Sequence, residues 1–212
     1  MNYIKNPGSI ESRSFEIIQE EIDRIRPGHE FKNEIDEMII KRAIHTTADF
    51  EYLDILKISD KAVENIVEGL NNKASIYTDT NMALSGINKR LLDKIGCSYS
   101  CLVADPKVAD LAKEKEITRS MAAVEIAAEK EGEKIFVFGN APTAVYKAIE
   151  LHNQGKLNAK AIIGVPVGFV GAADSKEELR KSDIESIVSV GRKGGSNLAA
   201  AIINAILYYY FR

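Results

Sequence analysis

Hydrophobic positions follow two regimes that change near residue 74. Ahead of it, apolar residues recur at helical spacing. Phe15, Ile18, Ile22 and Ile25 line one face of a segment that Ser9 or Ser12 can cap and that Pro27-Gly28 ends. Phe31, Ile35, Met38 and Ile39 mark a second helix running towards Ile44. Ser59 opens a third, with Ala62, Val63, Ile66 and Leu70 on its apolar face and Asn71-Asn72 closing it. Beyond residue 74, short apolar runs alternate with helical stretches. Strands are predicted at 74–78, 98–103, 134–138, 159–165 and 186–190, with helices at 87–95, 106–130, 141–154 and 174–182 between and after them. Alternation of this kind implies right-handed crossovers and an α/β fold with a mainly parallel five-stranded sheet. The last helix, 196–210, is apolar nearly all round from Leu198 to Leu207, so it is expected to be buried on several sides. Tyr208-Tyr209-Tyr210-Phe211 offers an aromatic seal for contact with a second copy of the chain.

No repeat, low-complexity tract or Pro/Ser-rich linker divides the 212 residues. They are taken as one domain, with 1–73 a helical N-terminal extension and 74–212 an α/β core. A chain of this length buries roughly 70% of its unfolded surface. Net charge is −3 with both signs interspersed, which argues against a nucleic-acid partner, and the lack of Trp argues against a stacking platform. No apolar run approaches the ~20 residues that span a bilayer. The stretch Met1-Asn2-Tyr3-Ile4-Lys5-Asn6-Pro7 lacks the apolar centre of a secretory signal. Cys97 and Cys101 read as reduced thiols on one strand, too far apart to bond, so a cytoplasmic location is expected. No second Cys or His pair has metal-ligand spacing, so no metal is expected.

Four of the apolar runs end in small polar loops: Thr78-Asp79-Thr80-Asn81, Gly139-Asn140-Ala141-Pro142-Thr143, Gly164-Val165-Pro166-Val167-Gly168 and Gly191-Arg192-Lys193-Gly194-Gly195-Ser196-Asn197. A parallel sheet places such loops at the carboxyl ends of its strands, where open α/β folds bind ligands. The pattern predicts an enzyme site gathered on one rim of the sheet.

His45, in Ile44-His45-Thr46-Thr47-Ala48-Asp49, closes a helix after the basic pair Lys41-Arg42. The negative end of a helix favours its protonated form, and Asp49 is near enough in sequence to orient the ring. It is a general acid or, equally simply, a capping histidine. The 191–197 loop combines glycines, a following helix N-terminus, Arg192 and Lys193, with Gly194 and Ser196 inside it. That combination suits a carboxylate or phosphate; a solvated glycine turn is the plainer alternative. It fits neither the P-loop nor the dinucleotide spacing. Thr78, Asp79, Thr80 and Asn81 are either ligand contacts or a helix cap, and Asn140 stands at the same choice. Gly168 and Gly171 sit in an apolar stretch, Gly164 to Ala173, suited to close approach of a flat ligand or to tight packing. Arg119 can clamp a carboxylate in bidentate fashion or lie free in solvent.

Several of these words occur together and in order. Ile10-Glu11-Ser12-Arg13-Ser14-Phe15, IHTTADF, TDTNMA, GNAPTA, GVPVGFVGAADSKE and GRKGGSNLAAAI resemble the precorrin-8X / cobalt-precorrin-8 methylmutase family of cobalamin biosynthesis, over nearly the whole chain. The resemblance implies a flavodoxin-like three-layer α/β/α fold, a homodimer and no cofactor. It implies movement of a methyl group from C11 to C12 of a corrinoid, giving hydrogenobyrinate or cobyrinate. The family's catalytic histidine corresponds to His45. Arg13, Arg119, Arg192 and Lys193 become candidates to hold the acidic rim of the ring, Ser14 and Thr46 further substrate contacts, and Asp49 a substrate-side residue that holds the histidine.

Two rivals remain. A non-catalytic corrinoid carrier would share the fold, but its Asp-x-His-x-x-Gly loop is only loosely echoed by Glu150-Leu151-His152-Asn153-Gln154-Gly155 at a helix end. A phosphate-handling enzyme would need a metal-binding acidic cluster, for which Asp79 alone is well placed. Whether the ring carries cobalt is not written in the sequence.

Overall fold

The fold comes from a computed structural model that describes residues 6–212. The opening stretch considered for a leader lies largely outside them. The elements run α1 (Pro7–Ile25), α2 (Glu34–Thr47), α3 (Tyr52–Ile55), β1 (Leu56–Ile58), α4 (Ala62–Asn71), β2 (Ser75–Thr78), α5 (Asn81–Gly86), α6 (Lys89–Ile95), β3 (Tyr99–Cys101), α7 (Pro106–Glu114), α8 (Arg119–Glu129), β4 (Lys134–Phe138), α9 (Pro142–Asn153), β5 (Ala159–Gly164), α10 (Ala172–Lys181), β6 (Ser186–Ser189) and α11 (Ser196–Phe211).

The sheet order is β1-β6-β5-β4-β2-β3. All pairs are parallel except β1 with β6. Without β1, the five parallel strands follow the 2-1-3-4-5 order of flavodoxin-like folds. The sheet thus has six strands where sequence periodicity predicts five, and the sixth lies within the stretch read as wholly helical. Leu56-Lys57-Ile58 is too short to show a period; its partner register, Leu56 opposite Ser189, comes from tertiary pairing.

Successive strand residues serve opposite faces. Ile76, Ile135, Val137, Ile163 and Ile187 pack against residues of α1, α2, α4, α6 and α11. Tyr77, Phe136, Phe138, Ile162 and Val188 pack against α8, α9 and α10. That is the three-layer architecture. α11 has Leu198, Ile202, Ile203 and Ile206 fully buried, as its apolar composition requires.

Local capping corrects several sequence expectations. Asn6, not Ser9 or Ser12, caps α1, its side chain accepting from the Ser9 amide at 3.1 Å. Ser59 does not cap α4; its hydroxyl bonds Glu185 and accepts from the Ser186 amide at 2.8 Å, at the start of β6. The single helix predicted over 106–130 is two, parted by Glu116 at φ 53° and recapped by Thr118, whose side chain accepts from the Met121 amide at 3.2 Å. Cys97 is buried but precedes β3, and Cys101, at the end of β3, is only half-buried, so the two thiols do not share one strand; both are free.

Candidate active site

The four polar loops meet on one rim. They follow β2, β4, β5 and β6 and are cross-linked by backbone and side-chain bonds. The Gly195 amide donates to the Val165 carbonyl at 2.9 Å, and the Gly168 amide to the Arg192 carbonyl at 3.1 Å. Thr80 and Ser196 share a hydroxyl–hydroxyl bond of 2.7 Å. Gly139 lies so close to α11 that a Cβ there would stand 2.5 Å from the Ser196 Cα, so only glycine fits.

The strand order reverses between β2 and β4, the usual binding crevice of such folds. Here the crevice is filled by the chain itself. Asp79 is buried and accepts from the amides of Gly139 at 3.0 Å, Asn140 at 2.7 Å and Ala141 at 2.6 Å. Burial pushes its carboxyl up, against the pull of those three donors. Asp79 is therefore committed to the backbone at the start of α9 and is not a free ligand group. Thr78 is buried too, bonding the Thr80 carbonyl at 3.0 Å, and Thr80 caps α5. Of this loop only Asn81 is exposed. Asn140 offers an exposed side chain and caps nothing, since α9 has no side-chain cap.

His45 lies exposed in the last turn of α2. Phe15 stands edge-on to its ring at a centroid distance of 5.6 Å, which brings the Arg13-Ser14-Phe15 segment of α1 beside it. A cleft of about 520 Å³ opens over His45, lined by Thr46, Arg42, Asn197, Asn204 and Tyr208 among others. A neighbouring groove of about 740 Å³ shares Arg42 and Tyr208 and adds Arg90, Lys94, Arg212 and Glu11. Arg42 sits between the Tyr208 and Phe15 rings, 4.6 and 5.4 Å from their centroids, and bonds Glu11 at 2.6 Å. That bond holds the Glu11 carboxyl below its ordinary value.

Asp49 does not face His45. Its carboxylate pairs with Lys193 Nζ, which also bonds Glu51 at 2.7 Å. The positive φ of Ala48, 53°, turns the chain after α2 so that Asp49 leaves the histidine and meets the 191–197 loop. Lys193 is accordingly a neutralised cation, not a bare corner. Arg13 is similarly occupied by Glu16 at 2.9 Å and Glu20 at 3.2 Å, and the Ser14 hydroxyl bonds the Ile10 carbonyl at 2.8 Å. Arg192 is exposed, its guanidinium 5.5 Å over the Phe169 ring. Phe169 and Val170 are 84% and 91% exposed, an apolar tip between Gly168 and Gly171 that is open to a flat partner. Arg119 is exposed at the start of α8, next to the rim, because Thr118 and Thr143 bond at 3.0 Å. Among the described residues no group of three or more His, Cys, Asp or Glu side chains is placed to hold a metal, and no helix is long and apolar enough to cross a membrane.

Sequence reasoning did not single out Arg42, Asn88, Asn204 and Tyr208, which line the cleft or the neighbouring groove. Asn204 accepts from the Asn88 amide at 2.8 Å and donates to the Gly86 carbonyl at 2.8 Å, building one wall of the cleft. The available signal was Asn204 in the middle of the apolar run of α11, where a side-chain amide is costly unless it has partners.

Residues 9–209 match a family model described as precorrin-8X methylmutase. A cobalt-precorrin-8 methylmutase of Salmonella typhimurium is 53% identical over 99% of this chain and 98% of its own length. A precorrin-8X methylmutase of a Sinorhizobium species is 33% identical over 97% and 96%. A solved structure, described as precorrin-8x methyl mutase from Thermus thermophilus, superposes with a TM-score of 0.83 at 34% identity, covering 94% of this chain and 96% of that one.

Proposed function

From its membership of the precorrin-8X methylmutase family, to which this chain belongs as an isomerase of cobalamin biosynthesis, we propose that it moves the methyl group at C11 of a precorrin-8 corrinoid to C12, with His45 as the proton donor. The observation that carries this reading is the exposed His45 at a helix end, above an open cleft of about 520 Å³ with cationic and amide groups around it. A methyl shift within the ring needs no nucleophile. It needs a proton on the macrocycle, at a ring nitrogen, so that electron demand rises as the methyl departs. A single general acid contributes roughly 10² to 10⁴ in rate. Binding and orientation of the large ring supply the remainder.

The ring's acidic side chains call for cationic or N–H donors, and the rim offers Arg192, Arg119 and those amides of the 191–197 loop that the chain does not itself use. The apolar tip at Phe169 and Val170 suits the face of the ring. Asp49, paired with Lys193, acts on the loop and not on the imidazole. Cobalt-precorrin-8 is the favoured substrate, supported by the 53% identity to the Salmonella typhimurium relative. A homodimer in the cytoplasm is part of the same reading, with no cofactor beyond the substrate's own metal.

The test is incubation of the protein with cobalt-free precorrin-8X and cobalt-precorrin-8 in parallel, followed by absorption. Conversion of the cobalt form at the higher rate is expected. Binding of both pigments with an unchanged methyl pattern would make the chain a carrier instead.

A further inference from the structure

Lys176, in α10, is fully buried at 0% exposure. No carboxylate pairs with it among the described residues. Its ammonium is solvated by the chain alone: Nζ donates to the Lys193 carbonyl at 2.7 Å and to Ser189 Oγ at 3.3 Å. The Ser189 hydroxyl donates to the same Lys193 carbonyl at 2.8 Å. Two donors thus pull one loop carbonyl inwards. Burying a lysine without a counter-charge is expensive, and a purely structural site would be served by an apolar side chain of similar size. Burial pushes this ammonium down to about 8, close to the working range yet leaving it charged at neutral pH.

The peptide that follows is trans, as are all those described. Its carbonyl oxygen and amide hydrogen therefore point to opposite sides. With the Lys193 oxygen drawn inwards, the Gly194 N–H faces out, and among the described residues it donates to no protein acceptor. Gly194 cannot carry a side chain, because a Cβ would overlap the Val165 carbonyl. The neighbouring Asn197 lines the His45 cleft.

We propose that Lys176 is a positioning residue: its buried ammonium sets the Lys193–Gly194 peptide so that the Gly194 amide is presented to a carboxylate of the corrinoid. This rests on the function proposed above and names one of its binding contacts. Lys176 touches no substrate. It acts through the loop, by way of the Lys193 carbonyl.

The test compares wild type, Lys176→Met and Ser189→Ala, with hydrogenobyrinate as the binding probe and turnover followed separately. Lys176→Met should weaken hydrogenobyrinate binding roughly ten- to a hundredfold, the loss of one hydrogen bond to a charged group. KM should rise by a similar factor while kcat holds. Ser189→Ala should show a smaller change of the same kind. In wild type, the Gly194 amide resonance should move downfield when hydrogenobyrinate is added. A Lys176→Met protein that binds as wild type overturns the proposal, as does a Gly194 resonance that stays still. That second measurement decides the matter even if the variant does not fold. If wild type itself binds no hydrogenobyrinate, the proposed function falls, and this contact with it.

Discussion

Lys193 and Asp49, 144 residues apart, form an ion pair that ties the loop after β6 to the turn leaving α2. The segment carrying His45 and the segment carrying the glycine loop are therefore fastened to each other from behind. Asp49, then Glu51, bonds the Lys193 ammonium and holds its pKa well above the usual lysine value, and the same bond lowers Asp49. Both side chains are partly exposed, at 42% and 30%. An ion pair this open to water adds little stability, so its role is to fix geometry.

Asp49→Asn is expected to lower turnover several-fold while leaving the fold intact. The pH dependence follows from the sign of the shift. A carboxyl lowered in the folded state contributes stability that is fully present above its unfolded value of 3.8 and is lost as pH falls through the folded value. Melting curves of wild type and variant should differ by a constant amount near neutrality and converge only in acid. A difference that is flat down to pH 3 would count against the pair.

His45→Ala should retain hydrogenobyrinate binding and lose conversion by a factor of roughly 10² to 10⁴. Stopped-flow absorption on the cobalt substrate reads this directly. Turnover near the wild-type rate would remove His45 from the chemistry.

Arg119→Ala should weaken binding more than it slows conversion, because the exposed guanidinium is available to a carboxylate. Arg13→Ala should have the smaller effect of the two, since Glu16 and Glu20 already occupy that side chain. Titration calorimetry with hydrogenobyrinate gives the ranking. The reverse order would place the substrate's acidic edge over α1.

Asp79→Ala strands three amides at the start of α9 and should cost about 2–4 kcal/mol, seen as a shifted denaturant midpoint. An unshifted midpoint would mean that water replaces the carboxylate without penalty.

Lys176→Met should be at least as stable as wild type at pH 7, where burial of the charged ammonium costs on the order of 3 kcal/mol. The folded value of about 8 lies below the ordinary 10.5, so the unfolded chain binds the extra proton between them. Wild-type stability should therefore gain on the variant as pH rises from 8 to 10.5. Paired melts at pH 7 and pH 10 check it, and a gap that does not change would sink the argument.

The parallel strands were legible because their apolar runs and the polar loops after them are local signals. Lys134–Phe138 starts and ends where periodicity places it. What escaped depends on tertiary partners. β1 has three residues and no pattern of its own. The break at Glu116 carries neither Gly nor Pro, so nothing in the composition announces a positive φ. The site shows the same division. The loops of the rim were visible as words, but Arg42 and Tyr208 are brought together only by α2 packing on α11. The direction of Asp49 turned on the left-handed Ala48, a conformation that alanine does not advertise.

The antiparallel strand β1 makes the first third of the chain inseparable from the rest. Leu56, Lys57 and Ile58 cover β6 along the flank that would otherwise be the last of the parallel strands. A shortened protein starting at residue 74 would leave the β6 backbone without partners on that side, a template for chain-to-chain association. Such a fragment should clump rather than yield a smaller working isomerase.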